Sequence, residues 1–293
     1  MPEHKLSSAV GPGTVLEVTP EIAGWEVLDF RVIALSDGQT WVTNTHDREV
    51  AIVPQEGAFE ASTGDEIFRL GRSGVFEEMA PVLYLPPDTP VQIDAIGPAE
   101  FAVGGAPAEG KYPVRLFQPE EMKAEVRGGG GATRQVNHIL AHPLPAEKLI
   151  LYEVYVPRGK WSGWPPHCHD GYEGSPYLEE TYYFRFDPPD GWGMHRNYRL
   201  DSDFDESFSV VDRDVVMVTQ GFHSSNASPG SHMYFLNYLA GTPVDEERAI
   251  PPFFQPEYRW IDGNWDKDAM ELPHVSPRGG DSNGISSPSI PSE

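Results

Sequence analysis

Chain breakers set the limits of this fold. Gly and Pro number 29 each in 293 residues, and the apolar or alternating segments between them are mostly too short for ordinary helices. Strands are predicted in quick succession from Thr19 to about Gly105: Gly24–Leu35, Gln39–Asn44, Glu49–Val53, Gly57–Ala61, Pro81–Pro87, Val91–Ala95 and Glu100–Val103. A second set follows at Leu149–Val156, Thr181–Phe186, Met194–Leu200, Val215–Val218 and His232–Ala240. Short strands punctuated by turn residues such as Ser36-Asp37-Gly38 indicate an all-β sandwich or barrel. The length exceeds one ordinary core and suits two.

The pattern breaks over residues 106–135, where Gly128-Gly129-Gly130-Gly131 lies between Arg127 and Arg134. No Lys-Ser/Thr follows, so the run is no P-loop. It reads as a flexible inter-domain crossing, with Arg134 in reserve as an anion contact. The expected organisation is an N-terminal barrel over 1–125, free of metal, a metal-binding barrel over 126–272 and a tail over 273–293. That tail is Ser/Pro/Gly-rich and expected to be disordered. Residues 1 to about 15 read as a loose arm with one added strand.

Charge narrows the function classes. A formal net charge of -24 opposes a phosphate backbone and an anionic membrane surface. An anionic substrate would need local Arg or Lys set against that field. The single cysteine excludes an internal disulfide, no signal-peptide core follows Met1, and no apolar run approaches a spanning length. These features predict a soluble, cytoplasmic protein and leave self-association into a homo-oligomer open.

The chemistry concentrates in Trp164-Pro165-Pro166-His167-Cys168-His169, in Leu178-Glu179-Glu180-Thr181-Tyr182 and in Gln220-Gly221-Phe222-His223. Side chains alternate across a strand, so His167 and His169 share a face and Cys168 takes the other, as core filler. If the strand opened by Glu180 crosses the same cavity, three imidazoles and a carboxylate converge. That donor set suits zinc first, with manganese or iron as alternatives, over calcium or magnesium.

These residues resemble the metal signature of the cupin β-barrels. More closely, the chain is similar to the bacterial 5-deoxy-glucuronate isomerases of myo-inositol breakdown. The likeness rests on Pro165-Pro166-His167-x-His169-Asp170, Leu178-Glu179-Glu180-x-Tyr182-Tyr183, Asp214-Val215-Val216, Gly221-Phe222-His223 and Tyr234-x-Leu236-Asn237. Weaker matches, including Gly71-Arg72 and Leu83-Tyr84-Leu85-Pro86, extend it into the first half. Arg213 stands where these proteins carry Gly, and Thr219 where they carry Pro. The resemblance implies a bicupin, two jelly-roll-like barrels, with one divalent ion in the C-terminal barrel. It also implies conversion of 5-deoxy-D-glucuronate, a small anionic sugar acid, to 5-dehydro-2-deoxy-D-gluconate.

Such an aldose–ketose isomerisation passes through an enediolate, which a divalent ion at His167, His169, Glu180 and His223 could stabilise as a Lewis acid. A base must then shuttle the proton. Glu179 faces away from Glu180 on a regular strand, but a bulge would let the two exchange roles. Tyr182 shares Glu180's face and suits proton relay or core packing. Either His195, a base candidate, or Arg196, a bidentate partner for the substrate carboxylate, points inward. Arg185 alternates outward from Glu180 and is the other candidate carboxylate contact; Asn237 and Tyr238 read as structural. Two other classes share the ligand set, an iron-dependent dioxygenase and a non-catalytic sugar-binding cupin. Oxygen consumption separates the first from an isomerase.

Overall fold

The computed structural model describes residues 3–272 and 274; the tail expected to be disordered lies, apart from His274, outside the described residues. The chain forms two β-barrels, as the strand-and-turn pattern requires. The first is an eight-stranded sheet whose path runs from Gly13–Val18 to Arg115–Phe117. The second packs a seven-stranded sheet against a five-stranded one. Among the described residues, no helix is long and apolar enough to cross a membrane.

Two strands of the first barrel are much longer than the sequence suggests. Arg48–Thr63 and Pro90–Pro107 each unite segments that read as two strands. Turn-like residues at Pro54 and Gly57 fall at irregularities in the pairing, between Pro54 and Glu56 and between Glu56 and Ala58. Bulges of this kind bend a strand without ending it, so one strand serves two parts of a barrel. Gly57 sits at φ 79, and a Cβ there would lie 2.1 Å from the Pro98 carbonyl oxygen.

The glycine run is not a flexible crossing. Lys123–Arg127 and Arg134–His138 are paired strands of the second barrel, with Arg127 opposite Arg134. Gly128–Gly131 is the loop of that hairpin, closed by a 3-10 turn over Gly130–Ala132. A Cβ on Gly128 (φ 72) would meet Ala132 O at 2.4 Å and Arg134 Nη1 at 2.8 Å. Small size at this position therefore serves close packing as well as backbone freedom.

The barrels exchange material. Lys5–Ser7 pairs with Asp214–Val216 of the second barrel. Buried carboxylates then tie the halves together. Glu49 accepts from the backbone N–H groups of Glu147, Lys148 and Leu149 at 2.8, 2.6 and 2.7 Å. Arg72 and Glu153, whose side chains are both 0% exposed, meet at 2.6 Å. Tyr238 reaches the Ala51 carbonyl at 3.1 Å, over Gly104, where a Cβ would lie 2.5 Å from its ring. Part of the large acidic surplus is thus structural, spent inside the interface where each charge is matched by N–H donors.

Arg213 adopts a left-handed conformation, at φ 67. Its guanidinium is 2.9 Å from Glu100 of the first barrel, a contact that glycine could not make and that helps offset the strain of the turn.

Candidate active site

The strands of the second barrel place the four candidate ligands on two facing sheets. His167 and His223 are cross-strand partners of the five-stranded sheet, on Trp161–Cys168 and Phe222–Ala227. Glu180 comes from Leu178–Asp187 of the seven-stranded sheet. A ligating nitrogen from each of His167, His169 and His223 lies within 4.8 Å of the others. Glu180 Oε2 closes the group, 2.9 Å from His169 Nε2 and 3.3 Å from His223 Nε2.

The donor pattern could accommodate a cation. His169 directs Nδ1 at the Leu178 carbonyl at 2.8 Å, and a carbonyl can only accept. In the neutral ring Nε2 is then a bare lone pair facing a carboxylate oxygen, an arrangement that requires positive charge between them. A proton on His169 meets that need in part: burial opposes it, but the Glu180 hydrogen bond raises the ring above its usual range. His223 Nε2 is buried 3.3 Å from Glu180 Oε2 and has no hydrogen-bond partner among the described residues. His167 is held well below the usual imidazole range by burial and by the other two rings, so it is neutral. Burial would raise the Glu180 carboxyl, but the His169 hydrogen bond and neighbouring imidazoles hold it down to about 2. Three imidazoles beside an ionised carboxylate form a donor set that could hold a divalent N/O-ligated cation.

His167, His169 and Glu180 line a cavity of about 150 Å³, and His223 lies behind them, outside its lining. Its walls include Val136, Leu178, Phe235 and Leu239, and Glu180 is its only acid among the described residues. Three arginines, Arg127, Arg134 and Arg248, also line it and continue into an adjoining mouth of about 520 Å³. The sequence offered Arg134 and overlooked the other two. Arg248 follows the last predicted strand, and Arg127 was hidden by the glycine run.

Tyr182 lines the cavity, and burial pushes its hydroxyl well above the usual phenol range. Asn237, its cross-strand partner, also lines the cavity and donates to the Thr181 carbonyl at 3.1 Å. Four other candidates are placed elsewhere. Glu179 points into the first barrel, where it accepts from the N–H groups of Glu26, Val27 and Leu28 at 2.7, 2.8 and 2.7 Å. No bulge occurs there, and strict alternation keeps it out of the cavity. Arg185 also faces outward, between Asp212 at 3.0 Å and Glu100 at 3.3 Å. Arg196 lies on the outer face, forked onto Asp205 at 2.8 and 2.7 Å and over the Tyr198 ring. His195 takes the inward position, but its ring sits behind the cavity wall against Tyr182. Its nitrogens are engaged with Ser225 Oγ at 2.7 Å and Asn197 Oδ1 at 2.8 Å. Burial and the neighbouring His223 lower it to about 3. It is a neutral prop for the wall, without an outlet for a substrate proton.

Cys168 faces away from the ligands, packed with Tyr198 and Phe222. Burial and the nearby Asp170 push its thiol up to about 12. The folded protein should therefore leave a colorimetric disulfide reagent unconsumed at pH 8, while the denatured chain consumes one equivalent.

Comparison with known proteins gives a consistent picture. A model of the KduI/IolB family matches residues 3–261. The 5-deoxy-glucuronate isomerase of Geobacillus thermodenitrificans is 39% identical over 254 residues, 85% of this chain and 91% of that protein. The protein of the same name from Bacillus subtilis strain 168 is 31% identical over 264 residues, covering 88% and 95%. A solved IolB-like protein of Salmonella typhimurium superposes with a TM-score of 0.84 at 35% identity, covering 89% of this chain and 99% of that one. Oxalate decarboxylase of Bacillus subtilis, at 16% identity and a TM-score of 0.59 over 82% of this chain and 77% of its own, shares the fold.

Proposed function

The chain belongs to the KduI/IolB family, and from that premise we propose that it converts 5-deoxy-D-glucuronate to 5-dehydro-2-deoxy-D-gluconate in myo-inositol catabolism. Its curated relatives are named isomerases, and it is an enzyme of that kind. The observation that carries the reading is the convergence of His167, His169, His223 and Glu180, three of which, His167, His169 and Glu180, line a cavity with no other acid among the described residues. Those four residues would hold one divalent cation, zinc by donor set, with manganese or iron as alternatives. When bound, it supplies Lewis-acid polarisation of a carbonyl and its neighbouring hydroxyl.

The remaining work falls to the protein. Isomerisation removes a proton from the carbon next to the aldehyde and delivers one to the aldehyde carbon, with negative charge on oxygen in the enediolate between. Tyr182, which keeps its proton at neutral pH, is placed to hydrogen-bond that oxygen or relay a proton. The apolar side chains of Val136, Leu178, Phe235 and Leu239 in the cavity wall would lower the local dielectric and strengthen each such contact. Glu179, Arg185 and Arg196 have no part in these steps. The proposal places the enzyme in the cytoplasm, where the lone thiol stays reduced.

The test is turnover without oxygen. Metal-loaded protein given 5-deoxy-D-glucuronate under anaerobic conditions should produce the ketose, followed by NMR. Absence of product with the site fully loaded contradicts the reading, and turnover only when oxygen is admitted would favour a dioxygenase.

A further inference from the structure

The three arginines of the cavity are not equivalent. Arg248 has its donors taken by the backbone carbonyls of Asp245, Leu140 and Leu149 at 3.0, 3.2 and 2.7 Å, and of Leu144. It is a strut. Arg127 is 46% exposed and bonded to Glu125 at 2.6 Å and to His138 at 3.2 Å. Arg134 differs from both. Its one hydrogen bond among the described residues runs from Nη1 to the Ala132 carbonyl at 3.1 Å. Its Nε is buried with no partner among the described residues, and no carboxylate among them forms an ion pair with it. Asp262 lies near enough to favour its charge, but that carboxylate is 3.0 Å from Arg259.

A guanidinium largely removed from water, with most of its donors unused, is costly unless something else binds it. The surroundings indicate what. Arg134 lies on the rim shared by the cavity and its mouth, close enough to bear on His167 and Tyr182. Its neighbours in the hairpin loop are glycines, and Gly128 lies directly against its Nη1. The planar fork of an arginine matches two carboxylate oxygens. A sugar acid has its aldehyde and its carboxylate at opposite ends of the chain. The geometry points to Arg134 as the group that binds the substrate carboxylate and thereby sets the aldehyde end over His167, His169, His223 and Glu180. This rests on the isomerase reading and adds to it the residue that selects acids over neutral sugars. Arg134 is a specificity and positioning residue; it moves no proton.

Two sugars and two variants test this. Wild-type enzyme should prefer 5-deoxy-glucuronate over its analogue with a primary alcohol in place of the carboxylate by about 100- to 1000-fold in kcat/KM, the size expected for two charge-assisted hydrogen bonds. Arg134→Gln should lose most of that preference, mainly through a raised KM for the acid, while binding as much metal as wild type. Arg134→Lys, which keeps the charge and loses the fork, should fall between them and covers a failure of Arg134→Gln to fold. A wild type that does not distinguish the two sugars overturns the inference alone, as does an Arg134 variant that keeps the full preference. No turnover of either sugar by the metal-loaded wild type overturns the isomerase reading and this inference with it.

Discussion

His169→Ala should lose its bound cation and, with it, turnover by about three orders of magnitude or more. Loss of a group that only hydrogen-bonds to a metal ligand typically costs ~10- to 100-fold, and removal of a direct ligand costs more. The expected size follows from position. His169 lies 2.9 Å from Glu180, and its Nδ1 is fixed by the Leu178 carbonyl, so it is the best oriented of the four donors. Its removal leaves Glu180 beside two rings, one of which, His223, lacks any other partner for Nε2. Stability should fall as well, because Glu180 and the Leu178 carbonyl lose a buried partner and a bound cation no longer favours the folded chain. Metal analysis, NMR turnover and a thermal melt on the same sample check all three statements. Full activity with full metal content would remove His169 from the site.

Glu179→Ala should behave differently. Its carboxylate is 1% exposed and receives three backbone N–H groups from Glu26, Val27 and Leu28 of the first barrel. Truncation strands those donors at the junction of the barrels, at a cost of about 3–5 kcal/mol. For a chain of this size that corresponds to a melting temperature lower by roughly 10 °C. Protein that remains folded, assayed well below the melt, should keep kcat within a few-fold. A base at this position would give the reverse, an unchanged melt and a collapsed kcat. The adjacent pair Glu179-Glu180 thus divides one chemistry from one scaffold by strand alternation alone.

That alternation explains why much of the site was legible. Glu180 and Tyr182 face the cavity while Glu179 and Arg185 face the first barrel, as period-two geometry requires. His167 and His169 share the ligand face and Cys168 is turned from it. The same rule could not decide between His195 and Arg196, since it fixes relative faces and not which face is inside. The structure decides by desolvation, keeping the neutral ring in and leaving the guanidinium out on Asp205. Turn chemistry misled in two places. Pro54 and Gly57 mark bulges within one long strand, and Gly128–Gly131 closes a hairpin where a crossing was expected. Gly and Pro mark departures from regular backbone, and only the pairing partner tells a bulge from a turn. The buried carboxylates Glu49 and Glu153 gave no local signal, because their partners are far away in sequence.

The most direct measurement is a metal titration. Chelated protein, kept free of oxygen, is given a divalent ion in steps while bound metal and turnover of 5-deoxy-D-glucuronate are followed together. Activity should start near zero, rise in proportion to occupancy and break sharply at one ion per chain. Full turnover by protein shown to be free of metal would contradict the account.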